Sequence, residues 1–138
     1  MKDLIIGAST NYDWDKLKYW INSINQSGFK GDKVLILMNC DAPTVKKVNE
    51  AGFKVIGFNQ DQSGNLKYES QMPIHVERFG HIYEYLRKNE YRYVVTTDVK
   101  DVIFQQNPID WLEANLTSEN LVFSSESILY KDEPWGDQ

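Results

Sequence analysis

Two carboxylates, Asp98 and Asp101, stand with two residues between them where the apolar run Tyr93-Val94-Val95-Thr96-Thr97 gives out. In open α/β sheets the carboxyl ends of the strands are where ligands collect, so a strand that runs into an acid is a candidate site. Hard divalent ions such as Mg²⁺ or Mn²⁺ take oxygen ligands and are commonly held by one or two carboxylates together with a substrate's own phosphates. Such an ion would screen a diphosphate from an acidic protein and stabilise its charge as it leaves. The same spacing also suits a purely structural pair, with Asp98 capping a turn and Asp101 facing Lys100 or solvent.

The elements that would hold this pair follow from periodicity. Short β-branched runs at 4–8, 34–38 and 54–58 alternate with helical patterns, which is the form of β-α-β units. Because the runs are apolar on both faces, a parallel sheet covered by helices on both faces is expected. Between the first two runs Leu17, Trp20, Ile21 and Ile24 repeat at helical spacing, with Asp13 as N-cap and Gly28 as stop. Between the next two, Asp41 caps a helix whose first turn holds Pro43, whose inward residues are Val45 and Val48, and which ends at Gly52. The polar stretch 59–71 reads as a surface loop. A third helix is expected over 73–89, with Phe79, Ile82, Tyr83 and Leu86 toward the core and Arg78, His81 and Tyr85 turned elsewhere. The acidic strand follows, then a short helix opened by Asn107-Pro108 around Trp111 and Leu112, and a last strand over 121–124. Trp14, Trp20 and Trp111 fall in helical patterns and read as core or interface aromatics. His75 and His81, six apart on one helix, point away from each other and make no paired metal site.

The 138 residues fit one domain, 1–138, with 41% hydrophobic and 25% charged residues. A formal net charge of -5 and the lack of a basic stripe argue against nucleic acid as a partner. No apolar run reaches the roughly 18 residues of a membrane span, and no signal-type segment opens the chain. The single cysteine, Cys40, excludes an internal disulfide and a cysteine-cluster zinc site. Together these set the expected location as cytoplasmic, while the pattern leaves a homo-oligomer open.

The segment Thr97-Asp98-Val99-Lys100-Asp101-Val102-Ile103-Phe104-Gln105, followed by Asn107-Pro108, resembles the strand-end segment of the GT-A superfamily of nucleotide-sugar glycosyltransferases. That family carries a D-x-D motif followed by an apolar strand. Here the spacing is D-x-x-D, or else Asp98 and Lys100 take the two motif positions; Val102-Ile103-Phe104 favours Asp98 with Asp101. The β-α-β-α-β order resembles the family over roughly the whole chain, and only the stretch 97–108 is specific.

The resemblance implies a Rossmann-like GT-A sandwich, an α/β fold with a mostly parallel central sheet. It implies Asp98 and Asp101 as metal ligands for Mn²⁺ or Mg²⁺. The loop after the first strand, Ala8 to Tyr12, would meet the nucleoside, with backbone of Ala8 and Thr10 reading a uracil edge and Tyr12 stacking on the ring. The same segment, Ser9 to Asp13, also suits a helix cap. Arg78 would assist the diphosphate, since a guanidinium offers planar paired donors, although a solvated pairing with Glu77 or Glu84 is the commoner use of such a residue.

The expected activity is metal-dependent transfer of a sugar from a nucleotide sugar, a UDP-sugar by preference, to an unknown acceptor, with slow donor hydrolysis when none is present. The rival is a non-catalytic nucleotide or nucleotide-sugar binding module. Nucleotidyl transfer is disfavoured, because no Gly-rich phosphate loop with a following Lys succeeds the first run. Of the late acids Glu126, Asp132, Glu133 and Asp137, none is singled out as a base. Trp135 could flank a sugar or begin a further element.

Overall fold

The computed structural model describes residues 1–115. Their element order is β1 (Leu4–Ser9), α1 (Trp14–Gln26), β2 (Asp32–Leu37), α2 (Ala42–Glu50), β3 (Lys54–Ile56), β4 (Asn59–Gln60), β5 (Leu66–Lys67), α3 (Ile74–Lys88), β6 (Val94–Thr96) and α4 (Pro108–Asn115). The anticipated strand over 121–124, the late acids and Trp135 lie outside the described residues.

Four strands form one parallel sheet in the order β3-β2-β1-β6, so the fold is α/β as expected. β1 is buried along its whole length, because alternate side chains serve two separate cores. Ile5 packs with Leu17, Trp20, Ile21 and Ile24 of α1 and Val48 of α2. Leu4, Ile6 and Ala8 pack on the opposite face with Val34, Ile36, Met38 and Ile82 of α3. Each fully buried Ile or Leu contributes about 1.5–3 kcal/mol relative to exposure, so these two layers dominate the fold's stability. Among the described residues no helix is long and apolar enough to cross a membrane.

The helix ends behave as their residues dictate. Asp13 and Asp41 accept from the backbone N–H of Lys16 and Thr44, and Gly28 and Gly52 take positive φ just beyond α1 and α2. Capping lowers the Asp41 carboxyl below its ordinary range, chiefly through the bonds from Thr44.

Four expectations need correction. The inward face of α3 is rotated: Ile82 is buried and Leu86 half-buried, but Phe79 is 55% and Tyr83 63% exposed. Arg78, His81 and Tyr85 turn inward instead. Two stripes of this helix satisfy the same i, i+3, i+4, i+7 rule, and polar partners decide between them. Tyr85 shares a hydrogen bond with Tyr91, whose hydroxyl donates to Asp32, and His81 lies against the rings of Phe58 and Tyr68.

β3 stops at Ile56, two residues short, and the stretch read as a loop contains the β4–β5 hairpin. Leu66 of that hairpin is buried against Gly57, and Asp61 closes its tip by accepting from Ser63 and Asn65. β6 is shorter than anticipated, pairs only with β1 among the described residues, and exposes Val94, so the strand leading to Asp98 is not a fully buried one. Of the tryptophans, Trp20 is fully buried and Trp14 packs against the core as expected, while Trp111 is 46% exposed.

Candidate functional site at the carboxyl edge of the sheet

The chain builds β1, β2 and β3 outward in one direction and then returns to place β6 on the other side of β1. The strand order therefore reverses between β1 and β6, and the crevice at their carboxyl ends is where a sheet of this kind receives ligands. Leu4 donates its N–H to Tyr93 while Ser9 accepts from Met38, so the backbone groups of Leu4, Ile6 and Ala8 face β6. The β1–β6 register ends at Ile6↔Thr96. Ala8 therefore lies beyond the paired residues, with its backbone groups on the β6 side of the strand.

The acidic segment is pinned by its apolar neighbours. Val99 is buried against β1 in the space left by Gly7, where a Cβ would stand 2.4 Å from Val99 Cγ1. Trp20 donates its indole N–H to Thr97 Oγ1 at 2.9 Å. Downstream, Phe104 N–H donates to Ser23 Oγ, and Val102 and Phe104 pack on the α1 side. With Thr97 half-buried and Val99 buried, Asp98, Lys100 and Asp101 are left exposed.

Arg78 reaches Asp98 from α3, with Nη1 donating to Oδ1 at 2.6 Å. The alternatives anticipated for Arg78 are not used: Glu84 pairs with Arg87, and Glu77 is occupied elsewhere. Glu77 is only 6% exposed and accepts the backbone N–H groups of Gln71 and Met72 ahead of α3. Those bonds, the first from Gln71, hold its carboxyl below the usual range against the opposing effect of burial. Burial first, and then the charge of Glu77, pushes the Tyr68 hydroxyl up.

A residue that sequence reasoning missed organises the neighbouring loops. Asn39, two positions beyond β2, donates from Nδ2 to Thr10 Oγ1 and to the Tyr68 carbonyl, and accepts from Tyr68 N–H. Its own carbonyl accepts from Asn11 N–H, and Asn11 sits at φ 63. A polar residue directly after an apolar strand was the available signal. Thr10 is thereby tied, through Asn39 and Tyr68, to the same face as α3.

Tyr12 is placed differently. It packs on the α1 and α2 side and borders a separate cavity of about 270 Å³ that Asn11, Asn39, Asp41, Asn65 and Lys67 also line. The structure thus brings Arg78 and Asp98 into contact, keeps Ala8 buried at the carboxyl end of β1 beyond its register with β6, and leaves Tyr12 at the separate cavity. Asp101 is exposed on the segment that follows Asp98.

Among the described residues no group of three or more His, Cys, Asp or Glu side chains gathers to hold a metal ion. The two acids of this segment are of the chemical type that Mg²⁺ or Mn²⁺ takes. Asp98 and Asp101 are hard oxygen donors, Asp98 engages Arg78 through Oδ1 alone, and such ions take one or two carboxylates when phosphates complete the shell. No protein-family model matches the chain, and neither a curated protein nor a solved structure matches it.

Proposed function

We propose that the chain is a metal-dependent glycosyltransferase of the GT-A kind, binding a nucleotide sugar, with a UDP-sugar favoured, in the crevice between β1 and β6. The single observation that carries the reading is the meeting of Arg78 and Asp98 at 2.6 Å at the point where strand order reverses. A cation donor and an oxygen donor side by side at a sheet's ligand edge suit a diphosphate and its counter-ion. The parallel order β3-β2-β1-β6 with helices on both faces supports the Rossmann-like donor half that this reading needs.

In this reading Asp98 and Asp101 hold Mn²⁺ or Mg²⁺, which supplies charge neutralisation to the leaving diphosphate. Arg78 donates to phosphate oxygens, and the Ala8 and Thr10 backbone meets the base edge. Tyr12 borders the nucleoside from the adjoining cavity. The acceptor is unknown.

The test is incubation with UDP- and GDP-sugars plus Mn²⁺, followed by measurement of free nucleoside diphosphate. Slow release from one donor, lost in Asp98→Ala, is expected. Binding of donor without release at any enzyme concentration would instead identify a non-catalytic module.

A further inference from the structure

The contact that supports the donor site also blocks part of it. Asp98 Oδ1 is already taken by Arg78 Nη1, and a guanidinium beside a carboxylate repels a divalent cation approaching the same oxygens. Arg78 has no other acidic partner among the described residues, since Glu77 caps the chain before α3 and Glu84 belongs to Arg87. Its fork is also underused: among the described residues only Nη1 carries a hydrogen bond, Nε being buried and out of a ligand's reach, and the guanidinium lies 5.1 Å from the centroid of the Phe79 ring. A planar fork that spends one nitrogen on a carboxylate keeps donors for an incoming polyanion.

We infer that Arg78 is an internal counter-ion for Asp98 that competes with the divalent cation, and that a diphosphate relieves the competition by drawing Arg78 onto its own oxygens. This rests on the donor-site reading above. Arg78 thereby couples the two ligands: the cation alone must displace it, whereas nucleotide and cation together each improve the other's affinity, as linkage requires. The arrangement disfavours a metal-loaded, nucleotide-free site.

The test uses the whole chain and two probes, Mn²⁺ alone, followed by the paramagnetic signal of free Mn²⁺, and UDP. Arg78→Gln is expected to tighten Mn²⁺ alone roughly two- to fivefold, the effect of losing one partly exposed ion pair. UDP should then enhance Mn²⁺ binding by a correspondingly smaller factor than in the parent. Arg78→Lys, a milder removal of the fork, should move the same way by less. Arg87→Gln removes one positive charge from the same helix and controls for net charge; it should leave Mn²⁺ affinity unchanged.

If Arg78→Gln binds Mn²⁺ like the parent or like Arg87→Gln, the competition is wrong. The donor site itself survives that result whenever UDP still tightens Mn²⁺ in the parent. Absence of both UDP and Mn²⁺ binding in parent and variants overturns the two together.

Discussion

Gly7→Ala probes the device that holds the acidic segment in place. The added methyl would sit 2.4 Å from Val99 Cγ1 and 3.1 Å from Trp20 Cη2, closer than carbon atoms approach without displacement. Trp20 is fully buried and bonded to Thr97, so Val99 must yield, and Asp98 is its neighbour in the chain. Overpacking of a core costs about 1–3 kcal/mol. Replacing a strand glycine with alanine recovers roughly 0.5–1 kcal/mol of backbone entropy. The net expectation is a loss of about 1–2 kcal/mol, or roughly 3–10 °C in Tm for a domain of this size. Urea unfolding of Gly7→Ala, Val99→Ala and the double variant measures it. The two changes share one space, so the double variant should lose less than the sum by about 0.5–3 kcal/mol. A parental midpoint for Gly7→Ala, or strict additivity, would refute the claim that Gly7 exists to seat Val99.

Gly80 and Gly28 test backbone against space, because neither has an atom within 4 Å of an added Cβ but only Gly28 has positive φ, +85. Gly80→Ala on exposed helix should raise the unfolding free energy measured in urea by about 0.5–1 kcal/mol, and Gly28→Ala should lower it by about 1 kcal/mol; shifts of one sign would contradict this. Glu77 is held below its ordinary value near 4.5, so its stabilisation is present above that value and is lost as pH falls through the lowered one. Glu77→Gln should flatten the acid limb of a stability profile below about pH 5, and parallel profiles for parent and variant would count against the caps on Gln71 and Met72. Burial first, and then Asp41, pushes the Cys40 thiol up to about 11. A disulfide reagent at pH 8 should therefore label it only after unfolding, and rapid stoichiometric labelling of the native chain would contradict its burial.

Much of this was legible in the sequence because it depends on local chemistry. The apolar runs that became β1 and β2, the caps at Asp13 and Asp41, and the stops at Gly28 and Gly52 are each set by neighbouring residues. α3 was misread in rotation because its inward residues are polar or amphipathic, Glu77, Arg78, His81 and Tyr85, and their partners lie far along the chain: Asp98 for Arg78, Tyr68 for His81 and, through Tyr91, Asp32 for Tyr85. Phe79 and Tyr83 looked like core because hydrophobicity alone cannot see those partners. The same limit hid Asn39, whose importance comes from tying Thr10 to Tyr68. Asp98 stands out in the sequence because position at a strand end is itself a local signal. That Val99 would anchor it into the gap over Gly7 depends on strand order, which no local pattern encodes.

The most direct test of the central claim is calorimetric titration of UDP into the chain with and without Mn²⁺, repeated on Asp98→Asn and Asp101→Asn. Measurable UDP binding that Mn²⁺ strengthens is expected, with the Mn²⁺ enhancement abolished in Asp98→Asn and weakened in Asp101→Asn. UDP affinity that is indifferent to Mn²⁺ and unchanged in both variants would contradict it.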